Sequence, residues 1–101
     1  AECAGADGGA RGKAAFGEGV AAARLGDLGR AERALREAAQ LLPGDPMPLV
    51  TLGSVLKRGG RPEEALEALE EAAKLAPEVR ERYVEPLKAE LEPPRGGPGE
   101  A

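Results

Sequence analysis

The feature that constrains this chain most is a self-similarity at an offset of 34 residues. When the sequence is shifted by that distance, seven positions carry the same residue. They are Gly19 and Gly53, Gly26 and Gly60, Ala31 and Ala65, Leu35 and Leu69, Ala38 and Ala72, Leu41 and Leu75, and Pro43 and Pro77. A fixed period of this length indicates supersecondary units that stack on one another. The alternative is a generic bundle of Leu- and Ala-rich helices, and it does not predict these shared residues.

The stretch 49–77 resembles the tetratricopeptide repeat (TPR), whose pattern places Trp, Leu, Gly and Tyr in one helix and Ala, Phe and Pro in the next. Leucine occupies each aromatic place of the pattern here. The matching residues are Leu49, Leu52, Gly53, Leu56, Ala65, Leu69 and Pro77. The resemblance covers about residues 12–91 and implies an all-α, right-handed TPR-type helical-hairpin solenoid, with two repeats plus a capping helix.

Turn-forming residues divide the chain into segments. Residues 1–11 contain three glycines and no apolar period, which predicts a flexible N-terminal arm. The TPR domain is expected at 12–92, with repeats at about 12–45 and 46–79, a capping helix at about 77–91, and a disordered tail at 93–101. The predicted helices are about 13–25, 28–42, 46–58, 62–76 and 77–91. Asp45 is the expected N-cap of the third helix, and Pro86 should kink or restart the fifth.

Apolar and charged spacings predict the packing of these helices. Ala31 and Ala65 should be buried where the two helices of a repeat come closest. In the fifth helix, Tyr83, Leu87 and Leu91 recur at i, i+4 and i+8, which predicts its buried stripe. Three i,i+4 ion pairs are expected on the outer faces. They are Glu32 with Arg36, Arg33 with Glu37, and Glu70 with Lys74.

Composition argues against catalysis and against two classes of partner. The chain has no histidine, and its single cysteine, Cys3, lies in the predicted arm with no base nearby in sequence. The acidic residues at 63, 64, 67, 70 and 71 are explained by a helix N-terminus and i,i+4 pairing rather than by metal binding. No basic stripe favours nucleic acid, and no apolar run is long enough for a membrane span. We therefore predict no enzyme, no catalytic residue, no metal site, no cofactor, no nucleic-acid partner and no membrane insertion.

The resemblance also implies a binding surface. In TPR proteins, the first helix of each repeat lines a concave groove that holds a peptide or a helix. Carried onto this sequence, the ligand-facing positions are Lys13, Phe16, Gly17, Val20 and Ala23 in the first repeat, Met47, Val50, Thr51, Ser54 and Lys57 in the second, and Glu81, Val84 and Glu85 in the cap. The competing interpretation is that Phe16, Val20, Val50 and Val84 pack against neighbouring helices.

Two functions follow as expectations. The first is a protein-interaction module or adaptor that binds a peptide or helix with apolar anchors in this groove. The second is structural, in which the chain self-associates as a homo-oligomer, or forms part of a longer repeat array or the accessory segment of a larger assembly. Two repeats are fewer than the three or so that stable arrays usually need, which motivates the second expectation. The sequence identifies neither the partner nor the compartment, and a cytoplasmic location is the default expectation.

Overall fold

The architecture is a row of antiparallel helices closed by a shorter C-terminal segment. A computed structural model describes the backbone of residues 2–91 and the side chains of residues 9–91. The helices are α1 (Glu2–Arg24), α2 (Leu28–Leu41), α3 (Met47–Arg58) and α4 (Pro62–Leu75), followed by a π-helical turn (Arg80–Val84) that leads directly into α5 (Glu85–Leu91). We call the π turn and α5 together the C-terminal helix. Within residues 2–91 there is no β-strand.

The turns between helices lie where the sequence predicts them. Gly26 and Gly60, 34 residues apart, both have positive φ angles, 86° and 82°, which glycine adopts without steric cost. The Asp27 carboxylate caps α2 by accepting a hydrogen bond from the Arg30 amide at 3.3 Å. Asp45 was expected to cap α3, but the N-cap residue is Pro46. Asp45 still accepts a hydrogen bond from the Met47 amide at 3.0 Å, so it fixes the entry to α3 from one residue further back.

The first helix is longer than predicted. α1 begins at Glu2, not at about Lys13, so residues 2–11 are helical and the predicted helix start is wrong. The glycines that suggested an arm lower helix propensity but do not prevent a helix from extending through them. The flexibility of residues 1–11 stays a prediction, and the predicted tail at 93–101 lies outside the described residues.

Each repeat is an α-hairpin whose two helices meet at a glycine. Gly19 of α1 lies against Leu35 of α2, and Gly53 of α3 lies against Leu69 of α4. A Cβ atom at position 19 would fall 2.6 Å from Leu35 Cγ, and one at position 53 would fall 2.7 Å from Leu69 Cγ. The repeated glycine, alanine and leucine identities are therefore explained by one close helix approach that occurs twice. Ala31 and Ala65, beside the same contacts, are fully buried, as predicted.

The hairpins stack so that α3 packs against α2 on one side and α4 on the other, and the C-terminal helix covers α4. One core cluster runs from Ala22 in α1 to Leu87 in α5. The all-α architecture of two hairpins and a cap is thus confirmed for the described residues. Among the same residues, no helix combines the length and the apolar character that crossing a bilayer requires.

The C-terminal helix departs from the predicted stripe. The buried residues are Val79, Val84 and Leu87, while Tyr83 remains 36% exposed. In an α-helix, residues five apart point about 140° away from each other. The π turn between Val79 and Val84 reduces that angle and brings both valines to one face. It also places Pro86 in the first turn of α5, where the missing N–H group is tolerated.

Candidate functional site

The first helices of the two hairpins and the C-terminal helix carry the predicted ligand-facing residues. We call this surface the first-helix face. Val20 and Ser54 lie 34 residues apart and occupy the same place on α1 and α3, so they mark equivalent points of the two repeats. Two depressions lie on this face, one on α1 and one between α3 and the C-terminal helix.

The α1 depression is open and largely apolar, with a volume of about 520 Å³. Its lining residues are Phe16, Gly17, Val20, Ala21, Arg24 and Leu25. Phe16 and Val20 are half-buried, whereas the Leu25 side chain is 85% exposed. Gly17, for which the sequence gives no packing reason, has open space where a Cβ would lie. This depression therefore offers apolar side chains to a partner without a polar barrier in front of them.

The second depression is smaller, about 140 Å³, and more polar. Ser54 and Lys57 contribute to it from α3, and Arg82, Tyr83 and Glu90 contribute from the C-terminal helix. Lys57 Nζ forms an ion pair with Glu90 at 3.1 Å, which ties α3 to the C-terminal helix across the depression. A partner in this place would meet hydroxyl groups and paired charges rather than a hydrophobic floor.

The structure divides the predicted groove residues into three groups. Val50 and Val84 are buried, with 5% and 0% exposure, so they are core side chains and their assignment to the groove is wrong. Phe16 and Val20 meet in the α1 depression, and Ser54 and Lys57 meet in the second one. The remaining predicted residues are accessible or half-buried but line neither depression, and they are Lys13, Met47, Thr51, Glu81 and Glu85.

Leu25, Arg82 and Tyr83 belong to these depressions and were missed as ligand-facing residues by sequence reasoning. Leu25 directly follows α1 and precedes the Gly26 turn, which is a place where a large apolar residue has no packing role. That isolated position is the signal that could have identified it. The π turn moved Tyr83 from the expected buried stripe to the surface, and no sequence signal other than Pro86 announced this shift.

A cluster of charges joins the two repeats beside this face. Glu32 of α2 accepts hydrogen bonds from Arg36 at 2.9 Å and from Arg61 at 2.6 Å, and Arg61 also pairs with Glu64. The hydrogen bond from Arg61 is the main reason that the pKa of Glu32 lies below its ordinary value. The Glu32–Arg36 pair was predicted. Lys74 pairs with Glu71 at 3.1 Å rather than with Glu70, so that prediction is wrong.

The chemistry of these sites is that of binding. Within the described residues, no group of three or more Cys, Asp or Glu side chains is placed to hold a metal ion. The polar groups of the second depression are exposed at its rim, and Lys57 is already paired with Glu90. The arrangement offers contact surface, charge and hydroxyl groups to a partner.

The hairpin stack, the paired glycine contacts and the capping helix define a helical-repeat protein. The family model described as tetratricopeptide repeat matches residues 22–91, which is 70 of the 101 residues. The chain therefore belongs to the tetratricopeptide repeat family, whose members are typically non-enzymatic modules for protein–protein interaction. No curated protein shows significant similarity to the sequence.

Proposed function

We propose that this chain is an adaptor that binds a short helix or an extended peptide on its first-helix face. The observation that carries the proposal is the α1 depression, where Phe16, Val20 and the 85% exposed Leu25 form a continuous apolar surface. Soluble proteins rarely leave a large leucine so exposed beside other apolar side chains unless a partner covers it.

The charge pattern supports an apolar mode of recognition. The α1 depression includes a single charged residue, Arg24, and the cation of Lys57 in the second depression is already paired with Glu90. Binding should therefore depend mainly on burial of apolar side chains and only weakly on salt concentration. A partner segment with two or three apolar anchors fits this surface better than a strongly charged one.

The test is a pull-down from source lysate with wild-type protein and a double variant, Leu25→Glu with Ser54→Arg. Both side chains are exposed, so the variant should fold normally, and it leaves the net charge unchanged. The matched control changes Glu37→Gln and Gln40→Glu on exposed positions of α2. Proteins that bind wild type and the control but not the double variant support the proposal. Equal retention by all three would place the interface elsewhere.

Sedimentation across a concentration series addresses the structural alternative. If the α1 depression binds a second copy of the chain, the wild type should dimerise and the Leu25→Glu, Ser54→Arg variant should not. A wild-type monomer at high concentration excludes that use of the surface and leaves a different protein as the partner.

A further inference from the structure

A groove lies on the other side of the repeat stack, between the second helices of the two hairpins. Its floor is formed by Leu49, Leu52 and Leu56 of α3, and its walls come from α2 and α4. The volume is about 390 Å³. We call it the second-helix groove. It shares no residue with either depression of the first-helix face, so it is a separate surface.

Leucine in the aromatic places of the repeat pattern explains why the groove is open. Leu49 stands where the TPR pattern has Trp, and Leu56 stands where it has Tyr. Leu56 is only 2% exposed, so the floor is closed there, whereas Leu49 is half-buried and accessible. The smaller side chains leave space that an apolar group of another molecule can fill, and the accessible floor is at the Leu49 end.

The wall beside this floor is acidic. Glu67 and Glu70 of α4 line the groove and form no ion pair with any other residue that the structure describes. The two cations of the lining are already engaged, because Arg36 pairs with Glu32 at 2.9 Å and Lys74 pairs with Glu71 at 3.1 Å. The groove therefore presents an apolar floor with two carboxylates that have no cationic partner within the described chain.

We propose that the second-helix groove binds a cationic protein segment in which an aromatic or leucine side chain is flanked by Lys or Arg. The apolar side chain would lie on Leu49 and fill the space left by the missing aromatic ring. The flanking cations would lie beside Glu67 and Glu70, where the charges are complementary. The two faces would then let one chain bind two different partners at once, an apolar segment on the first-helix face and a cationic one here.

The experiment titrates ¹⁵N-labelled full chain with a defined probe and follows the amide resonances. The probe is a 12-residue peptide with one Phe flanked on each side by two Lys, in a Ser/Gly background. A second peptide replaces the four Lys with Glu. We expect the Lys peptide to shift the amides around residues 49, 67 and 70, and the Glu peptide to shift none of them. Absence of shifts at these residues, or shifts that follow every acidic patch equally, would overturn the proposal.

Variants separate this groove from general attraction to an acidic protein. Glu67→Gln with Glu70→Gln should weaken binding of the Lys peptide about tenfold, because two favourable charge contacts are lost. Glu37→Gln with Glu78→Gln removes the same charge from exposed positions outside the groove and should change the affinity less than about twofold. Equal losses in both variants would show that only net charge attracts the peptide.

A further variant blocks the groove without weakening the fold. Leu49→Trp restores the residue of the repeat pattern, so it should fill the space, leave the urea midpoint the same or higher, and abolish peptide binding. Retained binding in this variant would overturn the proposal. Leu25→Glu with Ser54→Arg should not affect this peptide, so the result is independent of the first-helix face. Concentration-dependent broadening at residues 49, 67 and 70 without peptide would instead identify a second copy as the occupant and overturn the cationic partner.

Discussion

Gly53 of α3 lies directly against Leu69 of α4, so close that a Cβ at position 53 would fall 2.7 Å from Leu69 Cγ and 2.9 Å from Leu69 Cδ2. The Ala65 carbonyl oxygen, at 3.3 Å, bounds the same space. The equivalent contact between Gly19 and Leu35 repeats this geometry in the first hairpin. The repeat period of the sequence is thus a packing requirement of the fold.

The first prediction concerns this contact. Gly53→Ala should lower the free energy of unfolding by about 1–2 kcal/mol, because the added methyl group overpacks the hairpin. Gly17→Ala is the matched control, since it lies in α1 with nothing within 4 Å of a Cβ. It should raise stability by about 0.5–1 kcal/mol through helix propensity. Urea midpoints measure both, and changes of the same sign would contradict the close contact.

The second prediction concerns Val50, which is a core residue and not a groove residue. Val50→Glu should destabilise the domain strongly, by about 3 kcal/mol or more, because it buries a carboxylate without a partner. Ser54→Glu, one turn further along α3 and exposed, should change stability by less than about 0.5 kcal/mol. Thermal melts compare the two. A Val50→Glu protein that melts like the wild type would return Val50 to the surface.

The third prediction distinguishes two registers of the C-terminal helix. Val84→Ala should cost about 1–3 kcal/mol because Val84 is fully buried after the π turn. Tyr83→Ala should cost under about 1 kcal/mol, since Tyr83 is 36% exposed. A regular α-helix with the stripe of Tyr83, Leu87 and Leu91 predicts the opposite order. Urea unfolding of the two variants therefore tests the π turn directly.

The fourth prediction concerns pH. The pKa of Glu32 in the folded protein lies below its ordinary value of 4.5, because Arg61 and Arg36 hydrogen-bond to its carboxylate. The resulting stability is fully present above pH 4.5 and is lost as the pH falls through the folded-state pKa. Glu32→Gln should thus be about 0.5–1 kcal/mol less stable than wild type at pH 7, and this difference should shrink below pH 4.5.

Unfolding at pH 7, 5 and 3 measures this effect. Glu81→Gln, at an exposed position of the C-terminal helix, is the control and should stay within about 0.5 kcal/mol of wild type at pH 7. A Glu32→Gln difference that is unchanged at pH 3 would show that the ion-pair cluster is not its source.

The bounds of α2, α3 and α4 could be predicted to within one residue because local chemistry sets them. Gly26 and Gly60 have positive φ angles in the turns, and Asp27 caps α2. The start of α1 could not be predicted, because glycine content reports a weak propensity rather than a break. The π turn was also beyond sequence reasoning, since a period of 3.6 residues was assumed throughout the C-terminal helix.

The candidate site was predicted only in part, for a related reason. The repeat pattern places residues on the first helices, but it does not say which of them neighbouring helices cover. Val50 and Val84 satisfied the pattern and are nevertheless in the core. Leu25 lies outside the pattern, directly after the end of α1, and its exposure depends on how the chain leaves the helix. Such details come from tertiary packing.

The central claim is that the first-helix face binds a protein partner, and site-specific photo-crosslinking tests it most directly. A photoreactive phenylalanine analogue replaces Leu25 in one protein and Gln40, exposed on α2, in another. After irradiation in source lysate, the account predicts a discrete cross-linked protein from position 25 that is absent from position 40. The same cross-link should be lost when Ser54→Arg is added to the position-25 protein. A discrete product from position 40 and none from position 25 would contradict the account.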